Sequence, residues 1–108
     1  MTPNECNDMH SCSIATGDAW LKKYVPAILA SPAWDANSVI FIVFDEGTSS
    51  TGGGGRTPLI VISTQTQGGR RVSTRYDHYS LLATLEAAWG LSRLGHAAGA
   101  VSMTDFFR

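Results

Sequence analysis

The sequence feature that most constrains the fold is an uninterrupted apolar run that ends in two carboxylates and a glycine. The run extends from Val39 to Phe44, and Asp45, Glu46 and Gly47 follow it directly. A continuous run of β-branched and aromatic residues bounded by polar residues is typical of a central strand buried on both faces. Open α/β folds bind ligands outside the carboxyl ends of such strands. The acidic pair is therefore the first candidate for a functional site.

Two further elements are predicted downstream of the acidic pair. The apolar run from Pro58 to Ser63 predicts a second strand, because proline is tolerated at the beginning or the edge of a strand. Asp77 is a favourable N-cap for a helix over residues 78–89, which Gly90 can terminate. Phe106-Phe107 is predicted to anchor the C-terminal tail. Because a strand that is apolar on both faces requires neighbours on both edges and helices on both sides, these elements predict part of a larger α/β sheet.

A helix is also predicted upstream of the apolar run, near residues 18–30. Large apolar residues recur at helical spacing from Trp20 to Leu29, and Thr16-Gly17-Asp18 offers an N-cap that would start the helix near residue 19. Pro26 within this segment either kinks the helix or starts a second one, because proline removes a donor and clashes one turn back. Ser31-Pro32 has the pattern of another helix start.

The composition limits the classes of function. The 108 residues are 44% hydrophobic and 16% charged, which indicates one small globular domain and not a disordered tail. The formal net charge of −1 argues against a nucleic-acid partner and against an anionic membrane surface. The chain has no apolar run long enough to span a bilayer and does not open with a signal-peptide pattern, so neither segment is predicted.

The segment before the first predicted helix, residues 1–17, has neither helical nor strand periodicity and is predicted to be an ordered loop. Within it, Asp8 lies two residues before His10, so that a carboxylate could orient a catalytic imidazole; a solvent-facing loop histidine is the alternative. Cys6 and Cys12 permit one short-loop disulfide or two free thiols. A zinc site formed by these cysteines with Asp8 and His10 is a third alternative, although its spacing matches none of the usual structural patterns.

The acidic pair and a helix start suggest metal and anion chemistry. Because Gly47 lets the chain turn sharply, the carboxylates of Asp45 and Glu46 could converge on one site, and hard divalent cations favour such oxygen ligands. His78 lies in the first turn of the downstream helix, where the helix N-terminus favours anions, so that it could help to hold a phosphate. A solvated strand end and a capped helix start are the corresponding alternatives without a ligand.

Five blocks occur in order along nearly the whole chain, at residues 3–12, 17–21, 42–47, 56–63 and 76–82. Together they resemble the bacterial phosphoesterase family that contains non-haemolytic phospholipases C and respiratory-burst-inhibiting acid phosphatases, within the alkaline-phosphatase-like superfamily. The resemblance implies an α/β/α sandwich and the hydrolysis of phosphate mono- or diesters. It also implies a divalent metal ion that activates a serine or threonine nucleophile, which forms a phospho-enzyme.

The resemblance also implies roles for individual residues. Asp45 and Glu46 match the family's metal ligands, His10 matches a histidine of the phosphate pocket, and His78 matches the family's Asp-His block. The family's Glu-Asn ligand pair and its hydroxyl nucleophile have no counterpart here. Residues 1–108 are therefore expected to be the C-terminal segment of one incomplete phosphoesterase domain, with an incomplete metal site and little or no activity in isolation.

The leading hypothesis is a segment of a secreted or periplasmic phosphoesterase that acts on a phospholipid head group or a small phosphomonoester. The alternative is a non-catalytic metal- or anion-binding remnant that pairs with another chain. Such a remnant is expected to self-associate through the unpaired edges of its sheet. A polynucleotide-binding fragment is a third hypothesis, to which the net charge of −1 is the main objection.

Overall fold

The computed structural model describes residues 1–107 of the chain. It contains helix α1 (Ile14–Leu29), strands β1 (Val39–Val43) and β2 (Leu59–Ser63), helix α2 (His78–Ala88), and short 3-10 helices at Gly95–Gly99 and Thr104–Phe106. The chain divides into two compact units, of which the first is Met1–Asp35 and the second begins at Ala36. Neither helix α1 nor helix α2, nor any other helix in residues 1–107, is long and apolar enough to cross a membrane.

Helix α1, in the first unit, begins earlier than the sequence pattern predicts. Ser13 is its N-cap, and the Ser13 hydroxyl accepts a hydrogen bond of 3.3 Å from the backbone N–H of Thr16. The predicted cap at Thr16-Gly17-Asp18 is therefore wrong, because Ser13 already satisfies a free amide of the first turn. Gly17 instead lies inside the helix and is buried.

The continuity of α1 excludes one of the two alternatives for Pro26, the start of a second helix. One continuous helix runs through Pro26 to Leu29, so that no second helix begins at the proline. The Pro26 carbonyl accepts a hydrogen bond of 2.9 Å from the backbone N–H of Ala30, which closes the last turn. The helix start predicted at Ser31-Pro32 is wrong. Those residues form a turn, in which the Ser31 carbonyl accepts from the Trp34 amide at 2.9 Å.

Strands β1 and β2 of the second unit form an antiparallel two-stranded sheet. Val39 pairs with Ser63, Phe41 with Val61 and Val43 with Leu59. Each strand is one residue shorter than predicted, because β1 ends before Phe44 and β2 begins after Pro58. This arrangement agrees with the predicted α/β class, and the alkaline-phosphatase-like sandwich remains a prediction.

The expectation that β1 is buried on both faces is wrong for the described residues. No residue of β1 is fully buried, and Val39 and Val43 are 37% and 41% exposed. On β2, Ile60 is 51% exposed. The reason is that the sheet of residues 1–107 has two strands, so that β1 has a hydrogen-bonded neighbour on one edge. The run is therefore more apolar than expected for strands that are as exposed as these.

Helix α2 is bounded by the two residues that the sequence predicts. The Asp77 carboxylate accepts from the backbone N–H of Ser80 at 3.0 Å, and the Ser80 hydroxyl accepts from the Asp77 amide at 3.3 Å, which is a reciprocal capping box. At the other end, Gly90 has φ of 64° and donates to the Ala87 carbonyl, while the Leu91 amide donates to the Glu86 carbonyl at 2.8 Å. These two bonds form a Schellman motif, which requires the positive φ of Gly90.

The core of the second unit lies where the 3-10 helix Gly95–Gly99 packs on α2. Its buried apolar residues are Ala83, Ala97 and Met103. Glu86 is also buried, and one of its carboxylate oxygens, Oε1, accepts from the Leu94 amide at 3.0 Å, while Oε2 has no hydrogen-bond partner among residues 1–107.

The C-terminal tail is anchored by its phenylalanines, as the sequence predicts. The Phe107 ring meets the Phe41 ring of β1 edge-on at 6.4 Å, and the Phe106 ring lies 6.1 Å from the Tyr76 ring.

The tail also forms a polar contact, in which the Thr74 hydroxyl donates to the Asp105 carboxylate at 2.5 Å. Hydrogen bonds from Thr74 and then from Tyr76 lower the pKa of Asp105 below its ordinary value of 3.8. Burial, followed by the hydrogen bond to Asp105, raises the pKa of Tyr76 above 10.0.

Candidate functional site

The acidic pair lies in a tight turn at the exit of β1. Asp45 and Glu46 are both exposed, and the Asp45 carboxylate accepts a hydrogen bond of 3.0 Å from the Glu46 amide through Oδ1. The next amide, of Gly47, donates to the Gly54 carbonyl at 2.6 Å. The loop that follows the acidic pair therefore folds back, and its Gly54 carbonyl restrains the turn.

Gly47 is required by this close approach of the returning loop. A Cβ at position 47 would lie 2.8 Å from the Arg56 carbonyl oxygen and 3.2 Å from the Gly54 carbonyl oxygen. Both neighbours are backbone atoms, so that a side chain at Gly47 would force the loop away. In the sequence, the glycine after the two acids predicts the sharp turn, whereas no residue pattern predicts the returning loop.

His78 is bonded to the same turn from the start of α2. Its Nε2 lies 2.7 Å from the backbone carbonyl oxygen of Asp45. A carbonyl oxygen only accepts, so Nε2 is the protonated nitrogen that donates. The structure thus brings His78 to the turn formed by Asp45 and Glu46, although His78 follows Asp45 by 33 positions in the sequence.

The side chains of the turn offer oxygen ligands but do not by themselves form a closed metal site. In residues 1–107 no group of three or more histidine, cysteine, aspartate and glutamate side chains is placed to hold a metal ion. The acidic pair contributes two exposed carboxylates, the ligand type that hard divalent cations prefer.

His10 lies in the first unit, on the loop before α1, and its surroundings differ from the predicted ones. The Asp8 carboxylate accepts from the backbone amide of His10 at 2.8 Å and not from the imidazole, and His10 is exposed, which agrees with the alternative of a solvent-facing loop histidine. An aspartate readily bonds the amide two residues on, and this local turn competes with the ring. The ring of His10 instead places Nδ1 3.3 Å from the Ser11 hydroxyl oxygen, and that hydroxyl donates to Glu5 at 3.4 Å.

The chain of contacts from His10 through Ser11 to Glu5 indicates the tautomer of the ring. Because the Ser11 proton is directed at Glu5, the Ser11 oxygen is free to accept from Nδ1–H. The neutral ring then keeps its lone pair on Nε2. Sequence reasoning missed both Ser11 and Glu5, since neither residue type nor spacing marks such a contact.

A disulfide closes the loop that carries His10. Cys6 and Cys12 are bonded to each other, with their Cα atoms 4.6 Å apart, which excludes the zinc and free-thiol alternatives. Met9, within the closed loop, has φ of 74°, and its side chain lies over Gly17 of α1. The loop is therefore held both covalently and by packing against the helix of its own unit.

Comparison with known proteins adds to this geometry. A sequence model described as the Phosphoesterase family matches residues 1–92, a range that contains all four candidate site residues. The chain is 36% identical over 105 residues to a phosphatidylinositol-3-phosphatase of Mycobacterium tuberculosis, which covers 97% of this chain and 34% of that protein. It is 31% identical over 102 residues to a phosphate-repressible acid phosphatase of Penicillium chrysogenum, which covers 88% of this chain and 24% of that protein.

An acid phosphatase of Aspergillus fumigatus is similar to the same extent. It is 33% identical over 103 residues, which cover 88% of this chain and 22% of that protein. The chain thus spans about a third of the length of the mycobacterial relative and less than a quarter of the two fungal ones. No solved structure matches the chain.

Proposed function

The chain belongs to the phosphoesterase family, and we propose that it forms part of an enzyme that hydrolyses phosphate esters. The observation that carries this proposal is the family match over residues 1–92, within which the acidic turn at Asp45-Glu46 is held by hydrogen bonds. The protein that contains this segment would supply the rest of the catalytic centre, since the relatives are three to four times longer than the matched region.

The substrate that we propose is a phosphomonoester, of the acid phosphatase type. The family resemblance implies phosphodiesters, as in phospholipase C, as well as monoesters. The names of the three relatives are all phosphatase names, one of them with a phosphoinositide substrate, and this favours the monoester.

The ligands that we propose for a divalent metal ion are the carboxylates of Asp45 and Glu46. The donor chemistry fits: both side chains are exposed oxygen donors at a turn whose backbone is fixed by hydrogen bonds. When bound, such an ion would activate a hydroxyl nucleophile and stabilise negative charge on the phosphoryl group. The nucleophile and the remaining ligands are proposed to lie outside these 108 residues.

His10 is proposed to contact the phosphoryl group or the leaving oxygen. Ser11 engages Nδ1, so that Nε2 is the nitrogen left for the substrate. In the protonated ring Nε2 donates a hydrogen bond or a proton, and in the neutral ring it accepts one. The disulfide and the Asp8 bond to the His10 backbone fix the loop without occupying the ring.

We also propose that the protein functions in an oxidising compartment, outside the cytosol. The support is the Cys6–Cys12 disulfide, because such bonds persist where thiols are not kept reduced. Labelling of free thiols in protein isolated without reductant tests this: two unreactive cysteines support it, and two reactive ones contradict it.

Calorimetric titration of the chain with Mg²⁺, Mn²⁺, Ca²⁺ and Zn²⁺ tests the metal site. We expect one of these ions to bind and Glu46→Gln to weaken its binding at least tenfold, because the substitution removes a charged ligand while keeping the shape. Asp18→Asn is the matched control, since Asp18 is an exposed acid on α1. Absence of binding, or equal weakening by Asp18→Asn, would contradict the proposed ligands.

A chimaera tests the activity itself. These residues replace the matching third of the mycobacterial phosphatase, and turnover of p-nitrophenyl phosphate is measured. We expect activity that Asp45→Ala abolishes and Asp18→Asn leaves unchanged, and no turnover by the 108-residue chain alone. A folded chimaera without activity would overturn the proposed function, whereas turnover by the isolated chain that is lost on Asp45→Ala would show that the nucleophile lies within it.

A second candidate function is a non-catalytic binding segment that pairs with another chain. The exposure of Val43 and Ile60 on the sheet favours it, because apolar strand residues left open are available for pairing. Size-exclusion chromatography distinguishes the two candidates: self-association that Ile60→Lys abolishes supports pairing, and a monomer at high concentration counts against it.

A further inference from the structure

We propose that His78 is a positioning residue that holds the Asp45-Glu46 turn through its hydrogen bond to the Asp45 carbonyl. The inference rests on the proposed function, because the turn that it orders is the proposed metal site. It assigns to His78 a role different from the one that its position at a helix N-terminus suggested.

The contact itself is short and defined in direction. The distance of 2.7 Å between Nε2 and the carbonyl oxygen is the shortest hydrogen bond of a candidate site side chain in residues 1–107. Since the acceptor is a carbonyl, Nε2 must carry the hydrogen, and this contact occupies the nitrogen farther from the backbone.

The His78 ring is carried by the capped N-terminus of helix α2. His78 is the first residue of α2, directly after the N-cap Asp77. The capping box fixes that end of the helix, and its other member, Ser80, is 4% exposed. Because the backbone that carries the imidazole is fixed by the cap, only the two side-chain torsions of His78 are ordered when it bonds the turn.

The three bonds on the turn act on three consecutive residues, and only one of them uses a carboxylate oxygen, Oδ1 of Asp45. His78 donates to the carbonyl oxygen of Asp45, the Asp45 carboxylate accepts from the amide of Glu46, and the Gly54 carbonyl accepts from the amide of Gly47. His78 therefore uses a backbone atom and no carboxylate oxygen. Partners that orient ligands in this way commonly contribute 10–100-fold to metal affinity.

Hydrogen exchange and nitrogen chemical shifts test the positioning role without any metal. The variants are His78→Asn, which cannot reach the carbonyl with a donor, and His78→Gln, whose amide nitrogen replaces Nε2. We expect the Gly47 amide to exchange about fivefold faster in His78→Asn and near the wild-type rate in His78→Gln. The ring ¹⁵N shifts of the wild type are expected to show hydrogen on Nε2. His96→Asn is the control, because the His96 ring contacts Tyr79 and not the turn.

Metal titration gives the second readout. For the ion that the wild type binds, we expect about tenfold weaker binding by His78→Asn and recovery by His78→Gln. Unchanged Gly47 exchange in His78→Asn, or failure of glutamine to restore it, would overturn the positioning role. Absence of metal binding by the wild type, with the exchange pattern as expected, would instead overturn the proposed metal site and leave the positioning role of His78 in place.

Discussion

Substitution of Gly17 by alanine tests how the loop that carries His10 is packed on α1. Gly17 is buried inside the helix, and a Cβ at this position would lie 2.4 Å from Cγ and 2.5 Å from Cε of Met9. It would also lie 3.0 Å from the Asn7 carbonyl oxygen. Real side chains essentially never approach so closely, so that Met9 must change its conformation or the loop must move.

Two opposing effects determine the magnitude. Alanine is better than glycine in a helix interior by about 1 kcal/mol, which favours the variant. Overpacking of a well-filled contact costs about 1–3 kcal/mol. Since both Met9 atoms and a backbone oxygen are too close, we expect the steric cost to exceed the helical gain. The net loss in the free energy of unfolding is then about 1 kcal/mol.

A double-mutant cycle with Met9→Ala isolates the steric term. Met9→Ala removes Cγ and Cε, and in that background Gly17→Ala is expected to stabilise by up to about 1 kcal/mol, because the helical preference then acts without the Met9 clash. Urea unfolding followed by circular dichroism and Trp20 fluorescence gives the four free energies. Equal m-values across the four proteins are required for the comparison.

The sign of the effect decides the outcome. Gly68→Ala is the control, since no atom lies within 4 Å of the added Cβ and φ is not positive there. If Gly17→Ala is neutral or stabilising in the wild-type background, or has the same effect with and without Met9, then Met9 does not occupy the space over Gly17 and the packing described for the His10 loop is wrong.

Three further predictions concern single polar groups. Glu86→Ala is expected to lower the free energy of unfolding by about 1–3 kcal/mol, because it leaves the Leu94 amide without its acceptor, whereas Glu86→Gln keeps an acceptor and should cost less; thermal unfolding of both variants checks this. The pKa of Asp105 is lowered in the folded state, so its contribution to the free energy of unfolding is present above the unfolded pKa near 3.8 and is lost as the pH falls through the folded pKa. When the free energy of unfolding is measured from pH 6 to pH 2, this part of the decrease should be absent in Asp105→Asn. Ser11→Ala is expected to shift the neutral His10 ring toward hydrogen on Nε2, which ring ¹⁵N shifts detect, and Ser11→Thr should retain the wild-type tautomer; an unchanged ring in Ser11→Ala would contradict the contact.

Local signals were sufficient for the two strands and helix α2 of the second unit, whereas the 3-10 helices Gly95–Gly99 and Thr104–Phe106 were not predicted. The run from Val39 and the run to Ser63 mark the strands within one residue, and Asp77 and Gly90 mark the ends of α2. Each of these signals is an interaction between neighbours in the sequence: a cap, a positive φ or a continuous apolar run.

The start of α1 could not be predicted in this way, because two N-cap signals compete. Ser13 and Asp18 are both favourable N-caps, and the apolar stripe begins nearer to Asp18. Ser13 is the cap in the structure, and Gly17 becomes a helical residue over which Met9 packs. That contact joins residues eight positions apart and leaves no trace in the periodicity of the helix.

The role of Asp8 shows a similar competition at a site residue. A carboxylate two residues before a histidine can bond either the ring or the backbone amide. The amide lies within the same tight turn, so that bonding it orders fewer rotatable groups than holding the ring would. The sequence shows that Asp8 precedes His10 by two residues, but it does not show which group of His10 the carboxylate bonds. In the structure, that group is the backbone amide, at 2.8 Å.

The contact between His78 and Asp45 is the part of the candidate site that no local pattern could provide. The two residues are 33 positions apart, and the acceptor is a backbone carbonyl, which every residue possesses. Residue type marked both positions as chemically interesting, and it suggested that the histidine faces a ligand. In the structure, the side chains of both acids are exposed to solvent, and the histidine bonds the backbone of the turn that carries them. Two carboxylates on an unrestrained turn would lose conformational freedom on binding a cation, and the three hydrogen bonds on residues 45–47 remove much of that freedom during folding. The metal affinity that we propose for the acidic pair should therefore depend on His78, although its ring bonds the Asp45 carbonyl and not a carboxylate oxygen.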